Sequence, residues 1–299
     1  MAFPEKVDLH MHTFFSDGSD TLEELFEHVR KAGIGLFSVT DHDSIQAGEE
    51  MAKLAVQPAG GSARSRCISL TDGILCLNGT ELSCRDEDGK YHILAYGYDS
   101  TAAPIRELIQ NAHRIRMNKV SKRLAWLEED YGFVFDQEDI EYLYSLNNPG
   151  KPHFGILMAQ HGYAASKDEA MTNYLNKKEF KEEFIRPEEA IEGILKSGGI
   201  PILAHPFYGD GDQLILGEEM KYRLEKLLDF GLQGLEAYYS GFTQKLIAAA
   251  EELAAEHDLL ITAGSDYHGV NKTVLLGDTG LERVSDAAPG LKAFLERVL

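Results

Sequence analysis

Histidines recur where short apolar runs end, and that recurrence constrains this 299-residue chain more than any other feature. His10 and His12 close the run 6–12, His42 follows the run 36–40, and His205 follows 200–204. Glu81 lies within 73–83, His92 within 91–98, and Asp266 and His268 stand just past 259–264. The spacing of two within His10/His12 puts both imidazoles on one face of a strand. Helical patterns separate these runs. Thr21-Leu-Glu-Glu24 is a capping box opening a helix that ends at Gly33, and Asp43 or Ser44 is placed to cap the next, which runs to about Ala55. Arg85-Asp-Glu-Asp-Gly89 suits a hairpin-like turn, and Arg186-Pro187 starts another helix. Strand and helix then alternate to the last histidine. This order predicts an α/β chain with a parallel sheet and outer helices, and about seven strands favour a closed TIM-like (β/α)7 barrel. In such a barrel the strand ends share one rim, where active sites lie.

Residues 100–185 interrupt the alternation with helical periodicity at 105–129, 137–144, 152–161 and 167–175. The expected organisation is therefore a barrel from 1–99 and 186–299 and a helical insertion, acting as a lid, at 100–185. The Gly-, Ala- and Ser-rich stretch 58–65 reads as a mobile surface loop.

Composition removes several classes. With 43% hydrophobic and 26% charged residues the chain is ordinary globular material. Lys and Arg number 29 against 49 Asp and Glu, and the net charge of −20 repels phosphate backbones and anionic membrane surfaces. Stable duplex nucleic-acid binding and membrane association are therefore not expected. No stretch has the ~18 consecutive apolar residues of a membrane span, and residues 1–6 lack the apolar run of a secretion signal. Three clustered cysteines, Cys67, Cys76 and Cys84, have no metal-type spacing and argue against a disulfide framework, so a cytoplasmic location is expected.

Imidazoles with carboxylates and no cysteine suit Zn, Mn or Fe. With Asp17 from the first loop the candidates are nine, enough for two or three divalent ions where a carboxylate such as Glu81 bridges neighbours. Clustered ions activate water and hold the attacking and leaving oxygens of a phosphoryl displacement.

The ordered segments Asp8-Leu-His-Met-His12, Ser16-Asp-Gly18, Thr40-Asp-His-Asp43, Gly79-Thr-Glu81, His92, Ala204-His-Pro206 and Gly264-Ser-Asp-Tyr-His268 resemble the motif series of the polymerase and histidinol phosphatase (PHP) family. The resemblance spans almost the whole chain. It implies a distorted seven-stranded barrel with a trinuclear Mn, Fe or Zn site that hydrolyses phosphate esters. It also implies the ligands His10, His12, Asp17, His42, Glu81, His92, His205, Asp266 and His268, with Asp266 and His205 serving the chemistry as well. The insertion and Lys151-Pro152-His153-Phe154 look like the branch acting on nucleotide 3′,5′-bisphosphates or oligonucleotide 5′ ends, a relative of enzymes that open ribose cyclic phosphates. That branch implies an arginine where this chain has Lys151, and a lysine is a point charge where arginine is a bidentate fork.

The expected substrate is a small phosphorylated metabolite, a nucleotide or ribose phosphate. Arg116, Lys151 and His153 are the candidate phosphate contacts, and His153 also a proton donor to the leaving group. Several positions carry two readings. Asp17 serves as ligand or turn former, His92 as ligand or sheet histidine, and Asp41 and Asp43 as partners of ligands, with Asp43 equally a helix cap. The acid-free run Arg114, Arg116, Lys119, Lys122 and Arg123 is a phosphate clamp or a solvated helix face, and Trp126 reads as packing. Rival functions are histidinol-phosphate hydrolysis, carbon-nitrogen hydrolysis on a similar metal barrel, and a metal-binding module without catalysis.

Overall fold

The computed structural model describes residues 3–55, 66–180, 183–210 and 213–299, so the loop expected at 58–65 lies outside the described residues. The first half runs β1 (Val7–Asp8), α1 (Leu22–Lys31), β2 (Leu36–Phe37), α2 (Gln46–Lys53), β3 (Cys67–Ser69), β4 (Leu75–Leu77), β5 (Gly79–Asp86) and β6 (Gly89–Tyr96). Four helices follow: α3 (Ala103–Tyr131), α4 (Gln137–Ser145), α5 (Lys151–Gln160) and α6 (Lys167–Asn173). Alternation resumes with α7 (Pro187–Lys196), β7 (Ile200–Leu203), α8 (Gly217–Asp229), β8 (Gly234–Tyr239), α9 (Gln244–Glu256), β9 (Leu260–Gly264) and α10 (Pro289–Val298).

The fold is mixed α/β, and its strands do not form the closed parallel barrel expected from their number. They form a four-stranded sheet, β1-β2-β4-β3, and a five-stranded one, β5-β6-β7-β8-β9. The pairs β3/β4, β5/β6 and β6/β7 are antiparallel. The hairpin turns at Gly89, whose φ of +133° only glycine adopts readily. The sheets meet where the β1 and β9 segments run side by side, with Leu9 N–H donating to Ala263 O at 2.8 Å, Asp266 N–H to His10 O at 2.7 Å and His12 N–H to Tyr267 O at 2.8 Å; isolated parallel bridges join Met11 to Tyr267 and, beyond β2, His42 to Glu81. The ladder is short because chemistry interrupts it. β1 and β2 keep two residues each, and the backbone beyond them turns to present His10, His12 and His42.

Local signals explain most helix starts. Thr21 Oγ1 accepts from Glu24 N–H at 3.2 Å, while a Glu24 carboxylate oxygen accepts from Thr21 N–H at 2.9 Å, the reciprocal box read in the sequence. Proline opens α7 and α10. Of the two caps expected for α2, Asp43, at φ +51°, accepts instead from Ser83 N–H at 2.9 Å; Ile45 stands at the cap position without a side-chain bond, and Ser44 Oγ, one residue earlier, accepts from Gln46 N–H at 3.3 Å.

The chain divides into two compact units, Met1–Ile109 with Ile185–Leu299, and Gln110–Phe184. A buried cluster between β1, β2 and α1 includes Met11, Leu25, Val29, Phe37 and Val39. The second unit has its own core around Trp126, Leu127, Phe135, Leu143, Phe154 and Met158. Trp126 is packing, as read, and its indole N–H donates to Asp130 at 2.6 Å. Among the described residues no helix is long and apolar enough to cross a membrane.

Candidate metal centre

All nine candidate ligands lie in the first unit, and five of the histidines surround Glu81. This carboxylate is fully buried on β5, and its two oxygens face different partners. Oε2 lies 3.3 Å from His10 Nε2, 3.3 Å from His12 Nε2 and 3.0 Å from His42 Nδ1. Oε1 lies 2.7 Å from His92 Nδ1 and 3.2 Å from His205 Nε2. Asp266 Oδ1 stands 3.6 Å from His10 Nε2 and 3.3 Å from His12 Nε2, and Asp17 Oδ1 is 3.2 Å from His268 Nε2. Three sets have donor atoms within 4.8 Å of one another: His10, His12 and Asp266; His42, Glu81 and His92; and His12, Asp17, His42 and His268.

The backbone is strained where ligands are presented. His205 and Asp266 have φ of +28° and +57°, left-handed values rare for residues with a side chain. Asp8 fixes the neighbouring segments, accepting from Ser265 N–H at 2.9 Å and Gly277 N–H at 2.7 Å, and its burial raises its pKa to about 6. Asp41 accepts from Thr13 N–H at 2.7 Å and from the hydroxyls of Thr13 and Ser16 at 2.6 Å each. Ser16 Oγ lies in turn 3.3 Å from His12 Nδ1, so Asp41 orients the imidazole through an intermediary. His268 Nδ1–H donates to its neighbour's carbonyl, Asp266 O, at 2.8 Å, which leaves Nε2 to face Asp17.

Electrostatics describe a site short of positive charge. Burial alone would raise Glu81, yet His92, His42 and His10 outweigh it and hold the carboxylate well below its usual range. Asp266 is likewise held low against its burial by His10 and His12. Burial would lower His12, but Asp266 and Glu81 lift it to about 9. Carboxylates thus favour the protonated form of His10 and His12, while burial holds His92 and His268 below their usual range, and a cation among these rings would take over the protons' role.

The donor set fits such an ion. His10 Nε2, His12 Nε2, His42 Nδ1 and Glu81 Oε2 are buried and make no hydrogen bond. Buried polar atoms without partners are costly, and here they converge. Two ligand atoms each ~2.1 Å from one ion at a tetrahedral angle are themselves ~3.4 Å apart, close to the separations around Glu81 Oε2 and Asp266 Oδ1.

Sequence reasoning missed three neighbours. Glu236 on β8 contacts His10 and His205, and Asp266 Oδ2 accepts from Tyr239 Oη–H at 2.9 Å and Lys272 Nζ at 2.7 Å. A usable signal existed for Glu236: it is the lone charge in the otherwise apolar run Gly234–Tyr239, and a carboxylate inside a buried strand needs partners.

Arg116, Lys151 and His153 lie in the second unit. Lys151 Nζ is 3.2 Å from Asn176 Oδ1 and 3.6 Å from Glu179, and His153 Nδ1 accepts from Gly150 N–H at 3.1 Å, capping its own helix. The basic run is solvated only in part: Arg114 is exposed, while the others are covered to different degrees. Lys122 pairs with Glu183 at 3.1 Å, Lys119 lies over the Phe184 ring, and Arg123 is buried against Phe154 and Phe180.

The α/β fold, the buried cluster of histidines and carboxylates, and the chain's relatives define a metal-dependent phosphoester hydrolase. The chain belongs to the PHP domain family, which matches residues 8–186. Across 88% of its length it is 28% identical to a phosphoribosyl 1,2-cyclic phosphate 1,2-diphosphodiesterase of Eggerthella lenta, covering 94% of that protein. A 5′-3′ exoribonuclease of Haemophilus influenzae is 26% identical over 88% of this chain and 90% of its own. A 3′,5′-nucleoside bisphosphate phosphatase of Chromobacterium violaceum is 25% identical over 88% and 87%. A solved structure assigned as a metal-dependent phosphoesterase from Bifidobacterium adolescentis aligns with TM-score 0.74 at 26% identity, over 99% of this chain and 97% of that one.

Proposed function

We propose that the protein hydrolyses a phosphate ester of a compact nucleotide or ribose phosphate, using two or three divalent ions held by His10, His12, Asp17, His42, Glu81, His92, His205, Asp266 and His268. The observation carrying this reading is the set of buried, unbonded donor atoms around Glu81 Oε2. Divalent ions bound there supply a nucleophilic oxygen at neutral pH and offset charge on the phosphoryl oxygens. Glu81 is the shared carboxylate, with Oε2 turned to one histidine set and Oε1 to the other. The seams between the two sheets support a distorted form of the seven-stranded barrel, with the ligands along one rim.

In this proposal Arg116 and Lys151 bind substrate phosphate. His153 accepts a backbone N–H at Nδ1, so its neutral ring carries a proton at Nε2, suited to a phosphate oxygen or a leaving group. Three curated relatives act on a cyclic phosphate, a bisphosphate and RNA. A net charge of −20 disfavours long polyanions, so the small metabolite is the preferred substrate.

The test is phosphate release, with Mn2+ and with chelator, from a nucleoside 3′,5′-bisphosphate, a nucleoside 5′-monophosphate, a ribose cyclic phosphate, histidinol phosphate and a short 5′-phosphorylated RNA. Chelator-sensitive turnover of one of the first three supports the proposal. Turnover of histidinol phosphate or RNA alone overturns its substrate class, and silence across the panel in Mn2+-loaded protein overturns the catalytic reading.

A further inference from the structure

Glu236 is buried, with no accessible surface, and divides its two oxygens between His10, of the set with His12 and Asp266, and His205, which stands beside His92 on Glu81 Oε1. Oε1 accepts from His10 Nδ1–H at 2.9 Å, and Oε2 accepts from the backbone N–H of His205 at 2.9 Å. We propose that Glu236 is a positioning residue coupling the two halves of the metal centre: it turns the His10 Nε2 lone pair inward and holds His205 in its left-handed backbone conformation. The inference rests on the metal-centre reading above.

The chemistry of the two contacts singles out a carboxylate. Both partners are N–H donors, so the bridging group must accept on both sides. An amide of the same shape accepts on one side only. If its oxygen faces His10, its NH2 confronts the His205 N–H; if it turns over, the NH2 donates to His10 Nδ1 and shifts the ring proton to Nε2, the nitrogen that faces Glu81 and Asp266. A negative partner on Nδ1 also makes the opposite nitrogen a stronger donor to a cation.

The surroundings keep this bridge in place. A Cβ at Gly264 would lie 2.2 Å from His10 Cβ and 2.4 Å from Glu236 Oε1, so only glycine on β9 admits the pair. The β8/β9 register shifts between Glu236 and Tyr238, a bulge of the kind that re-aims a side chain. His205 has φ +28°, a conformation that persists only where neighbours enforce it, and the Glu236 bond is one such constraint. Through His10 the carboxylate reaches the set with His12 and Asp266, and through His205 the pair with His92 on Glu81 Oε1.

The test compares Mn2+ binding by metal-stripped wild type, Glu236→Gln and Tyr238→Phe. Tyr238 lies on the same strand but bonds to Glu251 and Ala288, so its variant reports destabilisation of β8 alone. The expected result is ~10 to 100-fold weaker Mn2+ binding by Glu236→Gln, binding like wild type by Tyr238→Phe, and recovery of Glu236→Gln turnover at saturating Mn2+. Equal affinity of Glu236→Gln and wild type overturns the proposal, as does equal weakening in both variants. Wild type that binds no Mn2+ overturns the metal-centre reading instead. Should Glu236→Gln fail to fold, nitrogen NMR of Zn2+-loaded wild type decides. The proposal requires the His10 ring proton on Nδ1, and a proton on Nε2 overturns it.

Discussion

Asp266 illustrates how many constraints meet on one side chain. Its backbone is left-handed, Oδ1 faces three imidazoles, and Oδ2 takes bonds from Tyr239 and Lys272. Replacing it removes a carboxylate that faces the metal centre while leaving the sheets intact. Asp266→Ala, like His12→Ala, is expected to lower phosphate release about a thousandfold, equivalent to ~4 kcal/mol of lost transition-state stabilisation. Circular dichroism should remain that of wild type, and retained turnover in a sample with verified metal content would refute the assignment. The proposed ligands were legible because histidine and aspartate are conspicuous at the ends of apolar runs. Tyr239 and Lys272 were not, since their roles depend on which strands become neighbours and on where the 269–277 loop returns, and Glu236 showed only as a lone charge in an apolar run whose partners the sequence does not name. The partners of the basic run of α3 were hidden for the same reason: Glu183, which pairs with Lys122, lies far along the chain.

At the scale of elements, helices and the strands β7, β8 and β9 were read closely, whereas the strands of the first half were not. The boundaries expected for α4 at 137–144 and α6 at 167–175 differ from Gln137–Ser145 and Lys167–Asn173 by one or two residues, because periodicity and caps are local. Strand ends depend on partners. The expected strand 73–83 divides into β4 and β5, which belong to different sheets, and β3 pairs antiparallel with β4 where no strand was expected. The crossing of β9 with the His10 segment is a tight contact, and Gly264→Ala tests it. The added methyl should cost ~1 to 3 kcal/mol of stability and weaken Mn2+ retention, as read by denaturant unfolding and equilibrium dialysis. An alanine variant with wild-type stability and metal affinity would show that the contact is not limiting.

For the whole molecule, the α/β class and the run of helices between β6 and α7 were legible, whereas closure of the sheet was not, because closure depends on how short strand ends meet. The second unit carries its own aromatic core, and in the first unit His10 Nε2, His12 Nε2 and His42 Nδ1 gather around Glu81 Oε2, all buried without a hydrogen bond. An ion that binds only the folded chain stabilises it by mass action. Mn2+ at a hundredfold excess over its dissociation constant should raise the unfolding free energy by ~2.7 kcal/mol per site, and chelator should reverse the gain. Calorimetry with and without Mn2+ measures this, and an unchanged melting temperature would count against the centre. The central claim is tested most directly by anomalous diffraction from crystals grown with Mn2+. The account predicts two or three peaks bounded by the proposed ligands, with Glu81 between neighbouring ions; saturating Mn2+ with no peak beside Glu81 would contradict it.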